Sequence, residues 1–267
     1  MRRKISKDNP FFHTPRFAFG YTWLPEHAHV LDFGCDDGRF GYLLKQHRNV
    51  DYIGVEKNRD AMKKVPHGVV VKESVYPLPF DNGQFDAVTM FEVLEHIHDQ
   101  NKALLDVFRV LKSGGLLLVS VPRRHVFSFM DLGNLKYVFP GLHRWYYSLT
   151  RSPEAYRQRY AANPDGLVGY NEKEKRWHQH FRDDEMRELL EGNGFYVEEI
   201  DGVGLFGQLF TFVAYVLRLG FLFPQWVRDW DNYVFHYGSL LSGYRSNNNN
   251  WLQPSSSAVD SGMIVSA

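Results

Sequence analysis

The sequence predicts an α/β fold built around a mostly parallel sheet with helices on both faces. Between residues 29 and 122, short apolar segments alternate with segments whose apolar residues recur at helical spacing, a pattern typical of a parallel sheet. The first apolar segment runs directly into a tight glycine turn at residues 34–38, Gly-Cys-Asp-Asp-Gly. In α/β proteins such a turn often marks a nucleotide-type cofactor site at the carboxyl end of the first strand. The 267 residues are enough for one large domain with elaborations.

Five strands are predicted in this alternating part of the chain. They are residues 29–33, 52–56, 69–72, 85–90 and 116–121. After the glycine turn, Phe40, Leu43 and Leu44 lie on one side of a predicted helix. Apolar residues between Leu104 and Leu111 predict a second helix, which we expect to end at the Gly114-Gly115 pair.

Changes in composition divide the chain into four regions. They are an N-terminal arm (1–28), a cofactor-binding core (29–122), an insert forming a helical cap (123–180), and the end of the core with an apolar insertion (181–267, insertion 203–258). The arm is rich in aromatic residues, and we expect it to be irregular and packed on the core. A helix from Asp183 or Asp184 and a strand at 195–200 resume the core pattern, and residues 262–267 are predicted to form the final strand.

Composition and charge narrow the class of protein. The 31 basic residues balance the 31 acidic ones, so no global field favours nucleic acid as a partner. Cys35 is the only cysteine, which excludes a disulfide framework and a multi-cysteine metal site and fits a reducing, cytoplasmic compartment. The basic residues Arg2, Arg3 and Lys4 are not followed by an apolar stretch, so we expect no signal peptide.

Three carboxylates accompany the glycine turn: Asp32, Asp36 and Asp37. A pyrophosphate group binds bare backbone N–H groups at a positive helix end, and an acidic loop repels it. A nicotinamide fingerprint that began at Gly34 would also need glycines where Asp36 and Arg39 stand. S-adenosylmethionine (SAM) carries a sulfonium, an ammonium and no phosphate, so the acidic turn favours SAM over a nicotinamide dinucleotide.

Five segments of the chain follow one another in an informative order and spacing. They are the first strand with its glycine turn, Glu56 at the end of the second strand, Leu78-Pro79-Phe80, the stretch from Phe85 to His96, and Leu111-Lys112-Ser113-Gly114-Gly115. Together they resemble the class I SAM-dependent methyltransferases, particularly the small-molecule methyltransferases, over residues 29–122 and, in part, 180–200. The resemblance implies a Rossmann-like, seven-stranded, mostly parallel sheet with an antiparallel final strand. It also implies SAM as the cofactor and S-adenosyl-L-homocysteine as its product.

The resemblance also implies which residues hold the cofactor. In that family the first strand and its glycine turn hold the methionine part of SAM, which corresponds here to Asp32, Gly34, Cys35, Asp36 and Gly38. Glu56, 18 residues after Gly38, is implied to hold the ribose, because one carboxylate can accept hydrogen bonds from both hydroxyls. The remaining candidates for the cofactor site are Lys57, Glu73, Ser74, Phe91 and Glu92.

Asp36 departs from the family pattern, which often has glycine at this position. A glycine there can adopt a left-handed backbone, and aspartate tolerates that conformation better than most residues do. We therefore expect the loop to bind SAM with a somewhat altered geometry.

His96 is the candidate catalytic residue. Methyl transfer is an in-line displacement at an activated carbon, so much of the catalysis is positioning, but an acceptor hydroxyl also needs a base. His96 follows the fourth predicted strand, and histidine titrates near neutrality. Two interpretations stay open: His96 is the general base, or it belongs to the cofactor-site scaffold and orients a neighbour.

The insert is the predicted site of acceptor recognition. It holds ten Lys/Arg residues against five Asp/Glu, with aromatic residues between them. We expect Arg124, His125, Tyr146, His178 and His180 to contact an acceptor that bears phosphate, carboxylate or sugar rings. The alternative is a solvated helical cap whose aromatic residues pack on the core. His178 and His180 lack clustered carboxylates or cysteines, so substrate contact or packing is favoured over a metal site.

Residues 203–224 are almost wholly apolar, which raises the question of a membrane. A spanning helix needs roughly 20 apolar residues, and Arg218 interrupts this segment. We favour contact with a membrane surface or a lipid acceptor over a homodimer face or a buried helix.

The predicted function is SAM-dependent methyl transfer to a small-molecule, sugar or lipid-linked acceptor, at oxygen. The alternative is a non-catalytic protein with the same fold that docks to a membrane or a protein partner. A cytoplasmic location, with or without contact to the inner face of a membrane, is expected.

Overall fold

One sheet organises the computed structural model, which describes residues 9–12, 14–73, 77–125, 128, 139–150, 152–157, 179–203, 209 and 239–246. Its seven strands are β1 (His29–Phe33), β2 (Asp51–Glu56), β3 (Val70–Glu73), β4 (Phe85–Phe91), β5 (Leu111–Pro122), β6 (Phe195–Val203) and β7 (Ser239–Ser246). They lie in the order β3-β2-β1-β4-β5-β7-β6. β7 is antiparallel to both of its neighbours, and the other pairings are parallel. The prediction of a mostly parallel sheet with an antiparallel final strand is confirmed.

Seven helices accompany these strands in the described part of the chain. They are α1 (Pro15–Trp23), α2 (Arg39–His47), α3 (Arg59–Met62), α4 (Gln100–Val110), α5 (Pro140–Thr150), α6 (Pro153–Tyr156) and α7 (Asp183–Glu191). The local sequence explains where several of them begin. Asn58 and Asp99 cap α3 and α4 by accepting backbone N–H bonds from the first turn of each helix. At α7, Glu185 Oε2 accepts the backbone N–H of Arg182 at 3.0 Å.

The apolar core consists of two clusters, one on each face of the sheet. Alternation along β1 places Leu31 and Phe33 in one cluster and Val30 in the other. The first cluster includes the apolar faces of α4 and α7, with Leu104 and Met186 fully buried. The second cluster includes residues of α1 and α2. Helices therefore cover both faces, which leaves the carboxyl edge of the strands as the place for a site.

The antiparallel strand of the described sheet lies at Ser239–Ser246, whereas the sequence predicts the final strand at residues 262–267. The strand also falls inside the predicted apolar insertion at 203–258, which therefore includes part of the sheet. The local sequence does not predict this strand, because the serines and Gly243 give the segment a weak strand propensity. Pairing with β5 along its length, from Leu116↔Arg245 to Pro122↔Ser239, determines it instead. Residues 262–267 lie outside the described residues.

Two further boundaries differ from the prediction. Residues 15–23 of the expected irregular arm form α1, and Pro15 at its start is a residue that favours a first helical turn. Helix α4 ends at Val110 and not at the glycine pair, because Leu111 already pairs with Phe85 of β4. Gly114 instead adopts φ +70° where the register between the two strands shifts.

None of the helices in the described ranges is long and apolar enough to cross a membrane. Of the apolar segment 203–224, only residues 203 and 209 are described, so the prediction of its contact with a membrane or a second copy concerns residues outside the described ranges.

Candidate functional site

The glycine turn after β1 is a loop with three left-handed residues. Gly34, Asp36 and Gly38 have φ values of +78°, +50° and +72°, and Asp36 thus takes the conformation that the sequence predicted for it. The backbone N–H groups of Gly34 and Cys35 donate to Val55 O at 2.9 and 3.1 Å. These two bonds fix the loop on the end of β2.

The Glu56 carboxylate lies at the end of β2 and is joined to this loop. Its Oε2 accepts the backbone N–H of Asp36 at 2.8 Å, and its Oε1 accepts those of Lys57 and Asn58 at 2.9 and 2.7 Å. A carboxylate offers about four lone-pair sites. Glu56 is half-buried, so part of its carboxylate is accessible. The three backbone N–H groups fix the orientation of this carboxylate, and a ribose hydroxyl would bind to its remaining lone pairs.

Asp32 lies beneath the loop and is buried in the sheet. Its carboxylate accepts hydrogen bonds from Tyr52 Oη and Thr89 Oγ1, each at 2.7 Å. Burial raises the pKa of Asp32 from 3.8 to about 6, although the two hydroxyl bonds oppose the shift. Asp32 thus ties β1 to β2 and β4 and supports the loop from below.

Two other cofactor candidates contribute packing. The Cys35 thiol is buried where Gly54 of β2 lacks a side chain: a methyl group on Gly54 would lie 2.5 Å from Cys35 Sγ. Burial raises the pKa of this thiol far above its usual range, so the thiol stays protonated and serves as an apolar packing group. Phe91 is buried, with its ring edge-on to Phe40 at 5.3 Å between centroids.

The exit of β4 forms the opposite side of the site. Glu92 has φ +57°, a rare conformation for a residue with a side chain. Its backbone N–H donates to Ser120 O at 2.9 Å, and Ser120 Oγ donates to Glu92 Oε1 at 2.8 Å. Ser120 therefore fixes both the backbone and the side chain of Glu92 at the end of β4.

His96 ends the short 3₁₀ turn Leu94–His96 that follows this exit. Its Nε2 lies 3.6 Å from Oε1 of the fully buried Glu95. Gln100 Nε2 fixes the turn by donating to Leu94 O at 2.8 Å and to Gln179 Oε1 at 3.0 Å. The turn is thus connected to the C-terminal end of the insert at Gln179.

The two ends of the insert are joined to each other. Arg124 N donates to Phe181 O at 2.8 Å, and Phe181 N donates to Pro122 O at 2.9 Å. The Arg124 guanidinium contacts His180 O and Glu185 Oε1, each at 3.4 Å. His180 is buried, and the His125 N–H donates to Ser128 Oγ at 2.7 Å.

Some predicted site residues are placed elsewhere or lie outside the description. The Glu73 carboxylate, at the end of β3, pairs with the Arg59 guanidinium at 3.1 Å. Tyr146 belongs to α5, but its side chain is outside the described part of the structure, as are Ser74 and His178. Within the described ranges, no group of three His, Cys, Asp or Glu side chains could hold a metal ion.

The charges of this edge fit SAM. Asp36, Glu56 and Glu92 place three carboxylates where β1, β2 and β4 end. Such a set attracts the ammonium and sulfonium groups and accepts hydrogen bonds from ribose hydroxyls, whereas a pyrophosphate would be repelled. The chain's residues can therefore bind and orient SAM, with the His96 turn beside the same edge.

Sequence reasoning missed several residues that shape the site. Thr89 and Ser120 are polar residues inside apolar strands, a pattern that signals a buried hydrogen bond. Asn58 stands at a helix start, where its type predicts a cap. Val93, whose side chain packs against Gly34, gave no signal, because Gly34 lies far away in the sequence.

Comparison with known proteins gives a match over most of the chain. A family model described as a methyltransferase domain matches residues 9–200. A Mycobacterium tuberculosis protein named as a probable S-adenosylmethionine-dependent methyltransferase is 34% identical over 103 residues, which is 37% of each chain. A demethylmenaquinone methyltransferase of Protochlamydia amoebophila is 31% identical over 138 residues, 46% of this chain and 56% of that protein. The chain thus matches less than two thirds of the length of these relatives.

Solved structures share the fold at low sequence identity. The protein in complex with the Haloferax volcanii Trm112 methyltransferase activator superposes with a TM-score of 0.57 and 16% identity over 92% of this chain and 93% of that one. The 1,6-didemethyltoxoflavin-N1-methyltransferase of Burkholderia thailandensis, with S-adenosylhomocysteine bound, gives 0.51 and 16% over 90% and 80%. At such identity the likeness shows the fold alone.

Proposed function

The chain belongs to the methyltransferase-domain family of the class I SAM-dependent type, and on that premise we propose that it transfers a methyl group from SAM to a small-molecule, sugar or lipid-linked acceptor, at oxygen. The Glu56 carboxylate, hydrogen-bonded to the left-handed Asp36 in the acidic loop, is the observation that supports SAM as the methyl donor in this proposal. This carboxylate can accept hydrogen bonds from the ribose hydroxyls, and its negative charge attracts the cationic methyl donor.

Methyl transfer from SAM requires no covalent bond to the protein. When bound, SAM supplies a methyl carbon already activated on its sulfonium, and the methyl carbon exchanges its bond to sulfur for a bond to the acceptor oxygen. The protein aligns the two reactants, which can contribute much of the rate. His96 accepts the hydroxyl proton in this proposal, and the neighbouring Glu95 carboxylate at 3.6 Å orients its imidazole.

The acceptor lies toward the insert in this proposal. Arg124, His125 and His180 stand where β5 leaves the sheet and the chain returns to α7, and guanidinium and imidazole groups suit phosphate, carboxylate or sugar oxygens. The name of one relative supports a small organic acceptor: it is a demethylmenaquinone methyltransferase, 31% identical to this chain over 138 residues. Tyr146 and His178 are proposed to join this set.

Calorimetry with SAM tests the cofactor site. Glu56→Ala should weaken binding by about tenfold to a hundredfold, because a hydrogen bond to a charged group is worth about 1.5–3 kcal/mol. Glu56→Gln, which keeps the shape and one acceptor oxygen, should bind with intermediate affinity. Glu191→Gln, on exposed α7 and paired with Arg187, is the matched control. Equal affinity of all four proteins would reject the assignment.

Turnover needs a separate experiment. The purified chain is incubated with methyl-labelled SAM and fractions of lipid and sugar extracts, and labelled products are separated by chromatography. Label in an alkali-stable ether or an ester of one fraction supports oxygen methylation. Label on nitrogen or carbon would contradict the oxygen assignment but keep the methyl transfer.

A second candidate is a non-catalytic protein of this fold that binds SAM and docks to a membrane or a protein partner. The solved structure of the [4+2]-cyclase SpnF is similar, with a TM-score of 0.54 and 16% identity over 88% of this chain. This fold thus also occurs in a protein named for a reaction other than methyl transfer, so the fold does not by itself establish methyl transfer. Tight SAM binding without methyl uptake by any extract would favour the second candidate. A cytoplasmic location, with or without contact to the inner face of a membrane, belongs to both proposals.

A further inference from the structure

The start of α5 carries a stripe of large apolar side chains exposed to solvent. Phe139, Leu142 and Trp145 are 56%, 54% and 61% exposed. The His143 N–H donates to Phe139 O at 2.9 Å, so Phe139 belongs to the first helical turn. At about 100° per residue the three side chains fall within an arc of about 120°. We call Phe139, Leu142 and Trp145 the α5 stripe.

The α5 stripe has a definite orientation. His143, on its flank, is 1% exposed, and its ring packs against Tyr156 of α6 at 5.8 Å between centroids. The helix therefore has one side held by α6 and another that presents aromatic and aliphatic groups to solvent. An exposed apolar surface of this kind commonly marks an interaction site.

The surrounding charge favours an anionic partner. Residues 132–153 contain Lys136, Arg144 and Arg151 and no carboxylate. Arg144 is exposed and lies away from the stripe on the helical wheel. A short helix with Trp, Phe and Leu on one side and cations around it has the composition of a helix that lies in the plane of a membrane interface.

The size of the stripe argues against a stable protein partner. Aromatic side chains bury roughly 150–250 Å² each, so three half-exposed apolar side chains offer at most about 400 Å², whereas a stable protein interface takes about 800 Å² from each partner. In a bilayer each apolar side chain can insert independently, without a large complementary surface. Tryptophan side chains prefer the depth of the lipid headgroups.

We propose that the α5 stripe docks this protein on the surface of a bilayer that contains anionic phospholipids. The three side chains enter the boundary between headgroups and acyl chains, and Arg144, on the opposite side of the helix, is attracted to the negatively charged surface across about one helix diameter, which is close to a Debye length. This inference concerns the described insert and is separate from the apolar segment 203–224. It needs neither SAM nor an acceptor.

Flotation with vesicles tests the docking surface. The full chain is mixed with vesicles of phosphatidylcholine, or of phosphatidylcholine and phosphatidylglycerol in equal parts, and the bound fraction is measured. We expect binding to the mixed vesicles that falls at high salt. The double variant Leu142→Gln/Trp145→Gln should bind about tenfold less, because two half-exposed apolar groups no longer enter the bilayer. Arg144→Glu should bind about fivefold less, at low salt only.

Variants of exposed apolar residues elsewhere on the protein test whether vesicle binding is specific to the α5 stripe. Leu105→Gln on α4 and Tyr196→Gln on β6 change residues that are 49% and 62% exposed, and their binding should equal that of the wild type. Unchanged thermal unfolding and unchanged S-adenosylhomocysteine affinity in the double variant would verify its fold. Because flotation uses no SAM, failure of the docking surface leaves the proposed methyl transfer untouched.

Three results would overturn the proposal. The first is a wild-type chain that binds neither kind of vesicle. The second is equal flotation of the wild type and the double variant. The third is a wild-type dimer in light scattering that the double variant abolishes, which would assign the α5 stripe to a second copy of the chain.

Discussion

Val93 fills the space next to Gly34: a methyl group on Gly34 would lie 2.4 Å from Val93 Cγ2. Gly34 also has φ +78°. Two independent constraints therefore require glycine at position 34: its backbone is left-handed, and the Val93 side chain at the exit of β4 leaves no space for a Cβ atom. The loop that would hold the methyl donor and the turn that carries His96 are consequently packed as one unit.

Gly34→Ala should destabilise the protein by about 2–5 kcal/mol. A left-handed conformation costs an ordinary residue about 1–2 kcal/mol, and overpacking adds about 1–3 kcal/mol. Urea unfolding gives the free-energy change. Gly68→Ala is the control, because Gly68 has φ +87° with no atom within 4 Å of the added group, and it should show the backbone cost alone.

The contact itself is isolated by a double-mutant cycle with Val93→Ala. The double variant Gly34→Ala/Val93→Ala relieves the clash and keeps the backbone cost, so it should be more stable than the sum of the single variants predicts. If the losses of unfolding free energy in the two single variants simply add up in the double variant, Val93 is not what excludes a side chain at position 34.

Asp32 should make the stability of the protein depend on pH. Its folded-state pKa of about 6 lies above the usual aspartate value of 3.8, so the fold favours the protonated form. The contribution is fully present below pH 3.8 and is lost as pH rises through 6, about 3 kcal/mol in total at neutral pH. Asp32→Asn stays uncharged, so the difference in unfolding free energy from the wild type should change between about pH 4 and 6.

Urea unfolding at a series of pH values measures this difference. Tyr52→Phe serves as an opposite test, because it removes a hydrogen bond that favours the ionised carboxylate and should raise the pKa of Asp32 further. Parallel pH curves for the wild type and Asp32→Asn would contradict the assignment.

His96→Gln distinguishes a general base from a scaffold residue. Loss of a base should lower kcat by about 10²–10⁴-fold and leave SAM affinity within about twofold. Single-turnover assays and calorimetry give the two quantities. His98→Gln, at an exposed position two residues on, is the control; an equal fall in affinity and turnover for His96→Gln would favour the scaffold interpretation.

Arg48 should anchor α1 to the core. Its side chain is fully buried, with NH1 donating to Glu26 Oε1 at 2.7 Å and NH2 donating to the carbonyls of Tyr21 and Leu24. Arg48→Met leaves those carbonyls without their partner and should cost about 3 kcal/mol. Hydrogen exchange should accelerate in α1 more than in β1.

Arg187→Met gives the comparison for Arg48. Its partner Glu191 lies 3.1 Å away on the exposed side of α7, and such a pair is worth less than about 1 kcal/mol. If both arginine variants lost the same stability, the anchoring role of Arg48 would be wrong.

Sequence alone predicted the elements whose signals are local. Apolar segments and helical spacing located β1, β2 and β4, and the topology of parallel sheets then required that their carboxyl ends meet at one edge. Gly34, Asp36 and Glu56 could be predicted to lie together because they follow the ends of adjacent strands. The hydrogen bond from the Asp36 N–H to Glu56 fulfils that geometric requirement.

Tertiary structure alone decided what depends on partners distant in the chain. Tyr52 and Thr89, 20 and 57 residues away from Asp32, make its carboxylate a tie between strands, which its position in the sequence did not indicate. The segment 239–246 has weak strand propensity of its own, and β5 and β6 make it the final strand. Propensity and motif spacing act over a few residues, whereas strand pairing, burial and the fit of Val93 to Gly34 are properties of the assembled sheet.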